Sequence, residues 1–272
     1  MNIVYVGTSE FAAGVLRRLA AAGRVPVLVV TRPDRRRGRG QQVGSPPVVE
    51  AAAELGIEVY QPDSVNDDDA YTRITAASPD AVVVCAFGAL IGDRLLEDLA
   101  PINVHPSLLP RWRGAAPIER AIMAGDRVTG VSIMQITEGL DSGPVCLAAE
   151  EEIHEDDTYG TLAPRLEALA APLLIRALDE RPPFVDQDEA GATYAEKIGA
   201  HDRTLDFTRP AAENERIVRA LYPHIGARVA LNGGEYLGVQ RAAVGPDGQL
   251  ELLEVQPAGG RPMPYADYLR GR

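Results

Sequence analysis

Asn103 and His105 stand two residues apart in PINVHPSLLP, a short apolar run broken by Pro106. On a strand that spacing sends both side chains to one face, and the proline ends the strand, placing them at its carboxyl edge. Asp141 follows in GLDSG, a turn signal directly after the apolar run GVSIMQI. If the three converge, the amide can donate to an oxyanion, the imidazole can accept or relay a proton, and the carboxylate can orient and bias the ring. Such a set suits transfer of an acyl or formyl group to an amine. Residue types alone leave other readings open. His105 serves as well as a hydrogen-bonded strand-end histidine, Asp141 before Ser-Gly as a turn residue, and Asn103 as a loop cap. Arg111, Trp112 and Arg113 read equally as surface residues flanking a proline turn.

A second feature with chemical content is RPDRRRGRG, residues 32–40, which holds five arginines although the 272-residue chain has a formal net charge of −12. The charge is uneven. Residues 1–113 carry 12 basic against 13 acidic side chains, residues 114–193 carry 5 against 16, and residues 194–272 carry 10 against 10. The acid concentrates in the middle, most densely in EEEIHEDD at 150–157. The field near the arginines can therefore be positive, and the overall charge excludes no polyanionic partner. Pro33, Gly38 and Gly40 predict an exposed, irregular loop. Guanidinium forks suit phosphates and stack on unpaired bases. The competing reading is a solvated loop, or one paired with EEEIHEDD.

The elements that must position these residues follow a βαβαβ rhythm. MNIVYVG is a buried strand, and TSEFAAGVLRRLAAAG a helix with Thr8 or Ser9 as N-cap, an apolar stripe of Phe11, Val15, Leu16 and Leu19, and Gly23 as its stop. VPVLVVT is a second strand leading into the arginine loop. SPPVVEAAAELGI gives a helix, EVYQP a short strand, DAYTRITAASPD a helix, AVVVCAFG a strand, LIGDRLLEDLA a helix and PINVH a strand. Fully apolar strands alternating with helices predict a Rossmann-like parallel sheet with helices on both faces. Such sheets bind ligands beyond the carboxyl ends of their strands. The first turn, VGTSEF, lacks a G-x-G-x-x-G pattern and reads as a tight turn needing one glycine rather than a dinucleotide site. Beyond about residue 185 the texture changes. A polar Pro/Gly stretch is followed by a helix, PAAENERIVRALYP, and by strand candidates ARVALNG, EYLGVQRAAV and QLELLEVQ with NGG and GPDG turns. We expect a catalytic domain at 1–186, a linker at 187–203 and a small β-rich domain at 204–272.

No apolar run approaches the ~18 residues a membrane helix needs, and the N-terminus has no basic region or cleavage site, so a cytoplasmic protein without a membrane partner is expected. Cys85 and Cys146 lie in apolar strand-like runs with no C-x-x-C pair, which predicts reduced, packed thiols rather than a redox or zinc role.

The string NVHPSLLPRWRGAAPI followed by TGVSIMQITEGLDSGPV resembles the 10-formyltetrahydrofolate-dependent formyltransferase family. The resemblance also takes in VGTSEFA, TRPDRRRGRG, SPPV, TYAEKI and LLEVQPAGGRPMPYADYLRGR, and it is nearest to the members that formylate methionyl-initiator tRNA. It implies that Asn103, His105 and Asp141 are the catalytic trio. It also implies that Ser107, Leu108, Leu109 and Pro110 line the 10-formyltetrahydrofolate site, with Phe87, Gly88 and Leu90 of CAFGALI forming part of the pterin pocket. The arginine loop corresponds to a segment inserted toward the tRNA acceptor arm, through Arg35, Arg36, Arg37 and Arg39. No metal is implied, and a monomer is expected. The C-terminal domain corresponds to an OB-like barrel, although only three or four strand candidates are present where an OB-fold has five. Alternative readings are a formyltransferase for an amino-sugar nucleotide, which shares the catalytic domain, and a catalytically idle RNA-binding relative.

Overall fold

A computed structural model describes residues 1–37 and 42–271. In chain order the elements are β1 (Ile3–Gly7), α1 (Glu10–Ala21), β2 (Leu28–Val30), β3 (Arg35–Arg37), β4 (Gln42–Gly44), α2 (Pro47–Glu54), β5 (Val59–Tyr60), α3 (Asp68–Ala76), β6 (Ala81–Cys85), α4 (Asp93–Leu99), β7 (Ile102–His105) and β8 (Arg113–Gly114). They continue as α5 (Pro117–Ala124), β9 (Val128–Gln135), β10 (Val145–Glu152), α6 (Tyr159–Glu180), β11 (Tyr194–Ala195), α7 (Ala211–Leu221), β12 (Ala227–Ala230), β13 (Tyr236–Val244), β14 (Leu250–Gln256), β15 (Met263–Pro264) and α8 (Tyr265–Arg270). Two compact units result. The first comprises residues 1–115, 130–151 and 164–194, and the second residues 116–129, 152–163 and 195–272.

The first unit is built on a seven-stranded sheet of order β10-β9-β7-β6-β1-β2-β5. β1, β2, β5, β6 and β7 run parallel, as in a Rossmann-like sheet. Their carboxyl ends therefore share one edge, and that edge carries the arginine segment after β2, CAFGALI after β6 and HPSLLP after β7. The sheet departs from the all-parallel expectation at β9, which pairs antiparallel to β7 with Ile102 opposite Gln135 and His105 opposite Ser132. The reason it escapes a sequence reading is plain: β9 is buried over almost its whole length, and a strand covered on both faces has the same apolar run in either direction.

Helix α1 starts where Ser9 accepts from the Ala12 amide and buries Phe11, Val15, Leu16 and Leu19. Gly7 is required by packing. A Cβ there would stand 2.9 Å from the Ala12 Cβ and 3.0 Å from the Cys85 carbonyl. The glycine of the first turn thus lets helix and strand close up. Cys85 and Cys146 are free thiols, and burial pushes the Cys85 thiol up to about 12, which makes it an unreactive packing group.

In the second unit, α7 and the antiparallel sheet β12-β13-β14-β15 enclose a core of Leu205, Ile217, Val218, Leu221, Ala227 and Val239. β13 passes to β14 through a turn of only five residues, 245–249. Four strands stand where an OB-fold has five. Within this unit His224 meets Glu119 at 2.9 Å and stacks on Tyr159 with ring centroids 3.6 Å apart. Among the described residues no helix is long and apolar enough to cross a membrane.

Candidate active site

β7 delivers Asn103 and His105 to the shared carboxyl edge. His105 is buried, and its Nε2 lies 2.9 Å from the Trp112 carbonyl. A carbonyl only accepts, so this network assigns the hydrogen to Nε2. Nδ1 faces Asp141 Oδ2 at 3.6 Å. The Asn103 side chain is half-buried and makes no hydrogen bond among the described residues. Its amide remains available to a ligand beside a histidine–carboxylate pair.

The way Asp141 reaches this place is unusual. Because β9 is antiparallel, its carboxyl end lies beside Ile102, at the amino end of β7. The loop that follows must turn back along the strand to bring Asp141 to His105. Asp141 sits in the left-handed region at φ +44°, a conformation non-glycine residues seldom adopt. Its Oδ2 accepts the Gly114 amide at 2.8 Å. Gly114 has φ +122°, open only to glycine at little cost. Trp112, whose carbonyl holds His105, is also left-handed at φ +63°.

The other residues expected at the site divide by surroundings. Leu108, Leu109 and Pro110 are half-buried directly after the trio's strand. Ser107 is fully buried, and its hydroxyl is committed to the Arg111 carbonyl at 2.6 Å, so it shapes the turn from inside. Phe87 packs in the core with Val6, Val84 and Leu95. Gly88 and Leu90 are exposed at the end of β6, which neighbours β7. The Gly88 carbonyl accepts from Arg32 at 3.1 Å.

The arginine segment differs from the irregular loop its composition predicts. Residues 35–37 form β3, an antiparallel arm on β4 with Arg35 opposite Gly44 and Arg37 opposite Gln42. Backbone pairing between the two arms bonds the inward-facing N–H and C=O groups of each, so the local charge and the preceding Pro33 do not prevent a paired arm. Arg35 is exposed; Arg39, like Gly38 and Gly40, lies outside the described residues. Gln61 escaped the sequence reading. Its amide donates to the Arg32 carbonyl at 3.0 Å and to Asp34 Oδ1 at 2.8 Å, and Asp34 Oδ2 accepts from Ser45 at 2.9 Å, which pins the foot of the arm.

An amide and an imidazole–carboxylate pair stand at the carboxyl edge of a Rossmann-like sheet, and the chain belongs to the formyl transferase family, which it matches over residues 1–178. It is an enzyme of formyl transfer. Along its full length it is 41% identical to the methionyl-tRNA formyltransferase of Halorhodospira halophila, of which the match covers 96%. Solved structures share the fold. The methionyl-tRNA formyltransferase of Clostridium thermocellum superposes with a TM-score of 0.68 at 14% identity, over 94% of this chain and 98% of that one. HypX from Aquifex aeolicus in complex with tetrahydrofolic acid superposes with a TM-score of 0.68 at 16% identity, over 99% of this chain and 47% of that one.

Proposed function

We propose that this enzyme transfers the formyl group of 10-formyltetrahydrofolate to the α-amino group of methionine on initiator tRNA. The observation that carries the reading is the likeness to a methionyl-tRNA formyltransferase over all of this chain and 96% of that one, C-terminal region included. A folate-type co-substrate fits the groups at the edge. Exposed backbone at Gly88, the exposed Leu90 and the half-buried Leu108–Pro110 offer apolar walls and main-chain polar atoms to a flat ring, beside the unbonded Asn103 amide. Phe87 serves as floor and Ser107 as internal tie.

When bound, the folate supplies an electrophilic formyl carbon attached to a nitrogen that can leave. Asn103 donates to the formyl oxygen as negative charge collects there, in a site already aimed before the reaction. His105, held through Nε2 by Trp112, presents positive charge at Nδ1 and steadies the Asp141 carboxylate. Asp141 accepts the proton lost by the attacking amine and returns it toward the departing nitrogen. The arginine arm, leaving the same edge, carries Arg35, Arg36, Arg37 and Arg39 toward the phosphates of the acceptor. We assign this chemistry to the first compact unit, which takes in residues 187–194 of the stretch expected as a linker, and tRNA holding to an OB-like C-terminal domain.

The test is incubation with labelled 10-formyltetrahydrofolate and three acceptors in parallel: charged initiator tRNA, charged elongator tRNA and an amino-sugar nucleotide. Label on initiator tRNA alone is the expected result. Label on the sugar nucleotide alone would replace the reading, and label on none would leave the idle RNA-binding alternative.

A further inference from the structure

The loop bearing Asp141 and the loop bearing Trp112 are both left-handed at their key residue, and left-handed non-glycine residues persist only where their surroundings over-determine them. The surroundings that do so come from residues 187–193, beyond the stretch matched to the formyl transferase family. The Gln187 amide donates to two carbonyls of the first loop, Asp141 at 2.9 Å and Gly143 at 2.7 Å. Its Oε1 accepts from Arg113 Nε at 3.0 Å. Arg113 is buried and clasps Glu189 with both remaining nitrogens, at 3.0 and 2.8 Å; this holds the Glu189 carboxyl below its ordinary range. Thr193 takes the second loop, accepting the Trp112 amide at its hydroxyl and the Arg113 amide at its carbonyl, both at 2.9 Å.

We infer that Gln187 is a positioning residue for formyl transfer: through its amide the segment 187–193 fixes the Asp141 carboxylate against His105. Both donors of the Gln187 side chain and one acceptor position of its oxygen are met in this orientation, and not in the reverse one. Reversing the amide would set its oxygen against two carbonyls and its NH2 against a guanidinium N–H. This also accounts for how a loop emerging at the wrong end of β7 is kept folded back over it. The inference rests on the reaction proposed above, in which Asp141 handles the amine's proton.

The experiment uses the full chain and compares wild type with Q187E, D141N and the double variant in formyl transfer to methionyl-tRNA. Glutamate keeps the volume and the acceptor for Arg113 but loses both donors. A displacement of the carboxylate by an ångström costs up to about 100-fold, so kcat should fall by about 10- to 100-fold in Q187E, with KM for the folate changed less than about two-fold. In the D141N background Q187E should add almost nothing, because groups that act as one unit are not additive. A packing role would move the melting temperature and multiply the two losses independently. Normal kcat in Q187E, or fully additive losses, would overturn the inference. If Q187E does not fold, Q187M removes the same donors without adding charge and carries the same expectations. Wild-type transfer in the same assay separates the two claims, since an inactive wild type counts against the proposed reaction and not against Gln187.

Discussion

At the carboxyl end of β7 the polar groups around the unbonded Asn103 amide are braced. His105 is held from both sides, Ser107 is bonded inside its turn, and Asp141 is held at its carboxylate by Gly114 and at its carbonyl by Gln187. At the carboxyl end of β2, on the same edge, the side-chain ties described for the arginine arm lie at its foot, through Asp34, Ser45 and Gln61, and Arg35 is exposed. The two regions answer different physical demands. Stabilising charge that develops during a reaction works when donors are aimed beforehand, because reorganisation would consume the gain. Binding a polyanion needs charge within reach of many phosphates, and counterion release rewards it without a fixed geometry.

The largest effect that could break this contrast belongs to the braced region. Asn103→Ala should lower kcat by about 10²–10³-fold, the usual cost of removing one aimed oxyanion donor. Folding and folate affinity should barely change, because the Asn103 amide gives up no hydrogen bond among the described residues. Asp141→Ala should lose turnover on a similar scale and also loosen the Gly114 loop. Steady-state kcat with both substrates saturating is the measurement. Near-normal turnover in either variant would mean that the braced geometry serves stability and not chemistry.

The two regions also differed in how far they could be read in the sequence. The arginines announce themselves through local charge, and Asn103 and His105 through a two-residue spacing before a proline. These are local signals, and so are the alternating apolar runs from which the parallel part of the sheet follows. The braces are not local. Gln187 lies 46 residues from Asp141, and Gln61 lies 27 from Asp34. Each is one polar residue in a polar stretch, with nothing in its neighbours to mark its partner. The reversal of β9 was hidden because an apolar run buried on both faces carries no direction. The arm's pairing was hidden because composition reports the bend and not the two strands beside it. The first three strands of the C-terminal sheet were legible, since turn signals are local too; β15, only two residues long, was not.

A smaller effect is expected from the arm. Combined replacement of Arg35, Arg36 and Arg37 by alanine should lower kcat/KM for tRNA by about ten-fold, the scale of one charge-assisted hydrogen bond. Arg39→Ala should act in the same direction. Folate affinity should not move. The slope of log affinity against log salt should flatten by roughly one unit or less per phosphate contact removed. Titrations of tRNA at several salt concentrations give both numbers. An unchanged slope would mean the arm is a solvated hairpin, and would sharpen the contrast by taking the polyanion away from it.

The smallest effect tests the foot of the arm. Gln61→Ala removes two hydrogen bonds, to the Arg32 carbonyl and to Asp34. Both acceptors lie at or near the surface, so water can replace the lost amide. The cost to stability is then about 1 kcal/mol or less. What the variant releases is orientation: Arg32 and Asp34 open the arm, and Asp34 keeps its bond from Ser45. If a polyanion is met by reach and charge alone, freeing the foot should lower kcat/KM for tRNA by no more than about five-fold, equivalent to about 1 kcal/mol, and leave the salt slope unaltered because no cation is lost. Thermal melting and kcat/KM at two salt concentrations measure both. A loss comparable to the triple arginine variant, with the slope intact, would show that the arm is aimed as strictly as the catalytic edge. The contrast between the two regions would then be one of residue type and not of rigidity.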